Sequence, residues 1–325
     1  MIRRLGIAVA LAAAVGSCAT PAPMATPDGW TGAQASTRPI SLGLPGGAVL
    51  APDVSFAGGV HVSTRTGSPL ASLSDLKLIG DGGFVTVSDV GDLVRGRIVL
   101  DRRGRLEGLR DWSFRRLTLT DGRPITEKTD GDAEGLAFAP DGGLLVSFER
   151  DHRIWNYGPL NALRARPVPA RMPDVVFAEN DGMEGLAAAP RFDGGGWRVT
   201  GESGGVWDCS PRRCEQVLPL PDPPLADTDY RITGMDLDPA GDGWFVVQRS
   251  YAPPIDARAR IRRMAADGTL GPVLVELKLP GTTDNFEGIA AEMRDGATRL
   301  YILSDDNFNP LQRTLMLAFD VRPSR

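Results

Sequence analysis

Glutamate–glycine pairs recur at three places in the sequence, each at the start of an apolar run: Glu134, Glu184 and Glu287. Two looser copies carry Ser74 and Thr233 at the equivalent position. Such side-chain oxygens are the ligands of hard cations such as Ca²⁺, whereas zinc prefers nitrogen and sulfur. If the fold gathers these positions, the pattern predicts a calcium site formed by Ser74, Glu134, Glu184, Thr233 and Glu287.

A second set of charged residues stands at the end of the predicted strand that follows these segments. Glu149, Glu202 and Asp305 are the candidate general bases, and Arg150, Arg153 and Arg249 are the candidate cations. Metal-assisted hydrolysis of a phosphate ester needs both kinds of residue, because phosphate charge is neutralised while a carboxylate deprotonates water. The alternative is structural: the glycines permit close backbone approach, and the charges form salt bridges or are solvated.

The segment around Ala133 to Glu149 predicts the elements that position these residues. It is typical of two antiparallel strands joined by an Asp-Gly turn. Taking Ser74, Glu134, Glu184, Thr233 and Glu287 as equivalent, successive spacings are 60, 50, 49 and 54 residues, in the range of propeller blades. Third and fourth strands follow in most units. We therefore predict an all-β propeller of four-stranded antiparallel blades, with the start of each first strand facing the central axis.

The repeats favour five blades within one domain, residues 38–325. Six blades stay possible if residues 106–130 or 158–176 hide a degenerate blade. The last unit runs out of chain after its third strand, while Val54 to Ser63 has a strand and no unit of its own. We expect this N-terminal strand to complete the final blade, which leaves no sheet edge open.

The first 37 residues predict export. Residues 1–18 have the charged start and short apolar run of a signal peptide, too short to span a bilayer stably. The segment ending at Cys18 resembles a bacterial lipobox, and an ordinary cleavage site is the alternative. Residues 19–37 favour a flexible linker. We expect a periplasmic or outer-membrane-anchored protein whose one membrane contact is a lipid on Cys18.

Composition excludes several function classes. With 36 basic against 41 acidic residues and a net charge of −5, the chain has no basic field for nucleic acid. Two histidines, His61 and His152, leave few ways to build a catalytic triad or a zinc site. Ser203 lies in a Gly-x-Ser-x-Gly pattern, but the strand-turn-helix context of a serine esterase is missing. Cys209 and Cys214 predict a small disulfide, the alternative being two free thiols.

The Glu-Gly-Leu starts, the strand ends Val87-Ser88-Asp89 and Leu303-Ser304-Asp305, and the lipoprotein-like leader resemble the family called esterase-like activity of phytase. This family is a propeller group of bacterial envelope proteins, and the resemblance spans about residues 73–320. The order Ser, Glu, Glu, Thr, Glu is also similar to calcium-activated nucleotidase or apyrase propellers, whose central calcium is held by such side chains. That similarity implies Ca²⁺ ligation by the five positions. The dense acidic calcium cluster of alkaline phytases is not matched motif for motif.

Two main functional hypotheses follow. In the first, the protein is a monomeric, Ca²⁺-dependent hydrolase of a small-molecule ester or phosphoester, acting at the channel rim. In the second, it is a non-catalytic propeller that binds a ligand or partner, and calcium only stiffens the ring. Lactonase activity of the gluconolactonase type is a third reading, with a metal held by Asn and Asp.

Overall fold

The computed structural model describes residues 29–241 and 243–323, whose regular secondary structure is almost entirely β-strand, which confirms the all-β class. The predicted signal peptide, Cys18 and residues 19–28 lie outside the described part. The strands are β1 (Thr31–Gly32), β2 (Ser36–Pro39), β3 (Ala48–Leu50), β4 (Val54–Ser63), β5 (Leu73–Leu78), β6 (Gly83–Ser88), β7 (Asp92–Leu100), β8 (Leu106–Arg116), β9 (Ala133–Phe138), β10 (Gly143–Phe148), β11 (Arg153–Pro159), β12 (Val168–Ala170), β13 (Gly185–Ala189), β14 (Gly196–Thr200), β15 (Val206–Cys209), β16 (Cys214–Leu218), β17 (Arg231–Leu237), β18 (Trp244–Ala252), β19 (Asp256–Met264), β20 (Leu270–Lys278), β21 (Asn285–Arg294), β22 (Ala297–Asp305) and β23 (Thr314–Val321).

Helix is limited, among these residues, to the one-turn α1 (Lys128–Gly131) and a 3-10 turn at Leu160–Ala162. In the described ranges, no helix has both the length and the apolar character needed to cross a membrane.

The strands form antiparallel meanders in chain order. β9 to β12 and β13 to β16 are four-stranded sheets, and β17 to β20 gain β3 at the outer edge. β5 to β8 form a further meander, while β21 to β23 continue into β4 through antiparallel β23–β4 pairing. A single parallel pair, Gly58 with Leu106, joins these last two meanders into one ten-stranded sheet, to which β1 and β2 also add. The long segments 106–130 and 158–176 supply β8 and β12, the fourth strands of their meanders.

The segment predicted as a flexible linker is ordered over its last nine residues. Trp30 is buried beside β8, where Thr31 pairs with Phe114, and β2 pairs with β4. Burial of one tryptophan and two strand pairings outweighs a composition rich in Thr, Pro and Ala. The prediction is therefore wrong for residues 29–37, which belong to the folded unit.

Apolar clusters lie between neighbouring sheets. Leu145 of β10 packs in one cluster with Trp197 of β14, and Val94 of β7 shares another with Leu303 of β22. Cys209 and Cys214 face each other across the β15–β16 turn and form the predicted disulfide. The sheets therefore pack face to face, and the first strand of each lies on the inner side.

Glycine permits the first strands to approach each other closely. A Cβ on Gly234 would lie 2.0 Å from the carbonyl oxygen of Glu287, and one on Gly288 would lie 2.7 Å from the backbone of Asp75. Glu134, Thr233 and Glu287 each stand at a shift in register between the first and second strands, the position of a β-bulge. Bulges direct a side chain out of the regular ladder, so these residues are available for contacts beyond their own sheet.

Candidate metal centre

Eight carboxyl side chains are buried where the first strands start and the second strands end. We call them the acidic cluster, and each is at most 8% exposed. Its members are Asp89, Asp132, Glu134, Glu149, Glu184, Glu202, Glu287 and Asp305. All three glutamates predicted as metal ligands and all three predicted general bases belong to it.

The three predicted ligand glutamates affect one another electrostatically. Burial raises the pKa of Glu134 well above its usual value, and the nearby carboxylates of Glu184 and Glu287 raise it further. Burial likewise raises the pKa of Glu184, with Glu202 and Glu287 adding to the shift. Burial raises the pKa of Glu287 to about 7, although Arg249 opposes the change. The structure therefore brings together residues separated by more than 150 positions.

Within the cluster, two groups of three carboxylates are compact enough to hold a metal ion. We call Asp89, Asp132 and Glu134 the Asp89 group, and Glu149, Glu184 and Glu202 the Glu184 group. In each, one oxygen per residue lies within 4.8 Å of the others. Oxygens bound to one Ca²⁺ at about 2.3–2.6 Å are separated by such distances.

The predicted division into an inner metal ring and an outer catalytic shell is not reproduced. Glu149 and Glu202 end second strands, yet they share a group with Glu184, which precedes a first strand. Residues at the ends of second strands contact the next sheet. The Gly182 N–H, before β13, donates to Glu149 Oε1, after β10, at 3.1 Å. Likewise, Arg249, in the second half of β18, donates a hydrogen bond to Asn285 at the start of β21.

The two predicted hydroxyl ligands differ in their surroundings. Ser74 Oγ lies 3.4 Å from Asp89 Oδ1 and 3.3 Å from Glu287 Oε2, so it joins the acidic cluster. Thr233 Oγ1 instead donates to the Phe286 carbonyl oxygen at 2.8 Å. Among the described residues, Thr233 makes no hydrogen bond to a carboxylate of the cluster. The Ser74 hydroxyl thus contacts the acidic cluster, whereas the Thr233 hydroxyl is held by the backbone of β21, and ligation of one ion by all five positions stays a prediction.

Four cationic side chains contact the acidic cluster. Arg231 and Arg249 each donate to Glu202 at 2.7 Å, and Arg249 also lies 3.4 Å from Glu287. Lys128 Nζ lies 2.8 Å from Asp89 Oδ2 and 3.0 Å from Asp132 Oδ1. Arg150 pairs with Asp132 as well. Eight carboxyl groups against four cations leave a surplus of negative charge when all are ionised.

Of the predicted rim arginines, Arg150 and Arg249 reach the cluster and Arg153 does not. Arg153 stacks 4.1 Å from the ring of Phe148 and 4.4 Å from that of Trp155, and it donates to backbone carbonyls. Arg153 is therefore a packing residue. His152 Nε2 is 2.9 Å from the Ala178 carbonyl oxygen and, in the described part of the chain, makes no hydrogen bond to Ser203. The structure assembles no serine–histidine pair at these positions.

Three residues of the site were missed although the sequence carries a signal for them. Asp132, Arg231 and Asn285 stand two positions before Glu134, Thr233 and Glu287. The shared spacing of two residues is the signal, because a side chain that close in sequence to a predicted ligand lies near it in space. Lys128 lies on the one-turn α1, and no pattern in the sequence indicates its place.

The residues present fit a hard divalent cation. Glu184 Oε2 is buried without a hydrogen-bond partner among the described residues, and the donors in both groups are all carboxylate oxygens. A buried carboxylate needs a compensating charge or a proton. Two cavities, of about 710 and 430 Å³, lie elsewhere, near Trp197 and Trp207 of the third sheet, and no acidic-cluster residue lines them.

Comparison with known proteins gives a family match. The profile of the phytase-like family, described as esterase-like activity of phytase, matches residues 68–308. A search of curated proteins gives no match. Similar solved structures include a proposed gluconolactonase (15% identity, TM-score 0.46), covering 89% of this chain and 94% of that one. Another is PQQ-bound aldose sugar dehydrogenase from Streptomyces coelicolor (14% identity, TM-score 0.37), with 92% of this chain and 100% of that one covered. A third is the Malassezia sympodialis allergen Mala s 1 (12% identity, TM-score 0.40), with 82% of this chain and 90% of that one covered.

Proposed function

The chain belongs to the phytase-like family described as esterase-like activity of phytase, and on this premise we propose that it is a Ca²⁺-dependent hydrolase of phosphoric or related esters. The observation that carries the proposal is the acidic cluster, in which eight buried carboxyl groups meet four cations. Oxygen-only donors favour Ca²⁺ among common metal ions. Carboxylates of the cluster would hold such an ion, which when bound would supply positive charge to the phosphate oxygens of the ester.

Two cations of the cluster reach solvent and can contact an anionic substrate. The Lys128 side chain is 46% exposed and that of Arg150 is 31% exposed. Arg249, in contrast, is held between Glu202 and Glu287, so its role is to orient these carboxylates. We assign Lys128 and Arg150 to binding the substrate's phosphate oxygens, and Arg249 to positioning.

A carboxylate of the cluster serves as the general base. Glu149 and Glu202 both belong to the Glu184 group, whose carboxylate oxygens are candidate metal ligands. Asp305 lies outside both groups of three, and one of its oxygens accepts the backbone N–H of Asn307. Among the three predicted bases, we therefore assign Asp305 to deprotonating water.

We assign the architecture as a five-bladed propeller from residue 29 onward, closed by β4. The five repeats and the antiparallel pairing of β4 with β23 support this assignment. The leader motif supports export to the bacterial periplasm or outer membrane, with Cys18 as the lipid anchor. We expect a monomer.

The test is a panel of p-nitrophenyl phosphate, p-nitrophenyl acetate, ADP, phytate and a sugar lactone, each with Ca²⁺ and with a chelator. We expect hydrolysis of at least one ester that chelation abolishes and Ca²⁺ restores. The D305N variant should lose most of this activity, whereas D174N, at an exposed position, should not.

If no ester is hydrolysed while Ca²⁺ still raises the melting temperature, the alternative holds: a non-catalytic binding propeller with structural calcium. Hydrolysis of the lactone alone would support the lactonase reading instead. Ester hydrolysis that is indifferent to chelation would contradict the proposed calcium dependence.

A further inference from the structure

The two carboxylate groups of the acidic cluster differ in how their charge is balanced. In the Asp89 group, Lys128 Nζ lies 2.8 Å from Asp89 and 3.0 Å from Asp132, and Arg150 pairs with Asp132. The lysine ammonium therefore stands between two of the three carboxylates, where a metal ion would have to bind. This group already has an internal cation.

In the Glu184 group, the direct ion pairs are made by one member, Glu202. Arg231 and Arg249 both pair with Glu202. Glu149 accepts a backbone N–H, and Glu184 Oε2 has no partner in the described residues although Glu184 is only 4% exposed. An unpartnered, buried carboxylate oxygen in a group of three is an independent indication of a ligand that supplies positive charge.

We propose that the protein binds a single divalent ion, at the Glu184 group, and that Lys128 takes the place of a second ion at the Asp89 group. The inference rests on the proposed function in assigning Ca²⁺ to the cluster, and it adds which carboxylates bind the ion. An ammonium about 2.8 Å from two carboxylates excludes a metal by charge repulsion and by occupying the same volume. Removing the lysine charge should therefore create a second metal site.

The first test is the stoichiometry of Ca²⁺ binding by titration calorimetry on the full-length protein after removal of metal with a chelator. The wild type should bind one ion per chain, and K128M should bind two. K128R keeps the charge and is the matched control, with one ion expected. Two ions in the wild type, or one in a folded K128M, would overturn the proposal.

A second test does not depend on the folding of K128M. In the wild-type background, E184Q should weaken Ca²⁺ binding at least about tenfold, the usual cost of altering a metal site. D89N, an isosteric change in the other group, should alter the Ca²⁺ affinity by less than about threefold, because its carboxylate is not a ligand. The reverse ranking would show that the ion binds at the Asp89 group.

These results are separable from the fate of the proposed function. One ion per chain with no hydrolysis of any ester would leave the metal assignment standing and reject the enzyme. Calcium-dependent hydrolysis together with one bound ion in K128M would support the enzyme and reject the metal assignment. Absence of Ca²⁺ binding by the wild type would reject this inference outright.

Discussion

At the scale of single residues, Glu184 combines deep burial with an unsatisfied carboxylate oxygen. Its Oε2 atom is buried without a partner among the described residues, and Glu202 and Glu287 are close enough to add to the effect of burial on its pKa. Such a group destabilises the metal-free fold when ionised. A bound ion would turn this cost into a favourable interaction, so stability and metal binding should depend on Glu184 in opposite ways.

We therefore predict that E184Q stabilises the metal-free protein by about 1–3 kcal/mol, because an uncompensated buried charge is removed. The same variant should lose the increase in melting temperature that Ca²⁺ gives the wild type. Thermal unfolding with chelator and with Ca²⁺ measures both effects. E107Q, an exposed match on β8, should behave like the wild type. A destabilised apo E184Q would contradict the expectation.

Asp92, at the start of β7, gives a residue-scale prediction on pH. Burial raises its pKa from 3.8 to about 6, against the opposing charge of Arg116, 3.1 Å away. The folded state therefore holds this proton more tightly than the unfolded chain does. The resulting stabilisation is fully present below pH 3.8 and is lost as the pH rises through about 6.

We expect D92N to remove this component of the pH dependence. Between pH 4 and pH 7, the free energy of unfolding of the wild type should fall by about 2 kcal/mol relative to that of D92N. Denaturant titrations across this range measure the difference, with the exposed Asp174 replaced in D174N as the control. Parallel curves for wild type and D92N would show that Asp92 is not the titrating group.

At the scale of elements, the glycines of the first strands set how closely neighbouring sheets approach. Gly234 of β17 leaves no room for a side chain, because its Cβ would lie 2.0 Å from the Glu287 carbonyl oxygen. Glu287 in turn belongs to the acidic cluster. The glycine therefore links sheet packing to the geometry of the candidate metal centre.

We predict that G234A costs about 1–3 kcal/mol of stability, because β17 and β21 must separate. It should also weaken Ca²⁺ binding, since the shift reaches Glu287, which Arg249 connects to Glu202 of the Glu184 group. G271A is the matched control: Gly271 lies on a strand, and its Cβ would meet only an ordinary contact at 3.6 Å. Unfolding curves and Ca²⁺ titrations of both variants provide the measurement. Equal stability of the two would argue against the close approach.

The repeated strand starts were predictable, because Glu134, Glu184 and Glu287 each precede a glycine and an apolar run at a regular spacing. The boundary between the flexible linker and the folded domain was not predictable. Trp30 stands alone in a segment of small and polar residues, and its burial beside β8, together with the pairing of β1 and β2, makes residues 29–37 part of the fold. Such long-range contacts leave no periodic pattern for sequence reasoning to detect.

The grouping of the carboxylates was also beyond the sequence. It depends on the register shifts near Glu134 and Glu287 and on second-strand ends leaning onto the next sheet. Bulges and twist of this kind follow from the packing of whole sheets. The sequence therefore predicted six of the eight carboxylates that converge, but not which three lie close enough to share an ion or that Lys128 lies between two of them.

At the scale of the whole molecule, a buried charge network joins the first strands beyond the acidic cluster. Lys77 Nζ on β5 lies 2.7 Å from both oxygens of Asp75 and 3.0 Å from the Met235 carbonyl oxygen on β17. Asp75 Oδ2 also accepts the N–H of Leu136 on β9 at 2.6 Å. Three strands from three different sheets are thus connected through one ion pair.

We predict that K77M destabilises the protein by about 3–5 kcal/mol, because it leaves the carboxylate of Asp75 buried without its cation. The double variant D75N/K77M should be less destabilised than K77M, since the unpaired charge is gone. A double-mutant cycle measured by denaturant unfolding compares the wild type, D75N, K77M and D75N/K77M. K278M, at a partly exposed lysine of β20, is the control. Strictly additive effects would mean that Lys77 and Asp75 act independently. A positive coupling together with unchanged Ca²⁺ affinity would show that this network holds the sheets together separately from the metal centre.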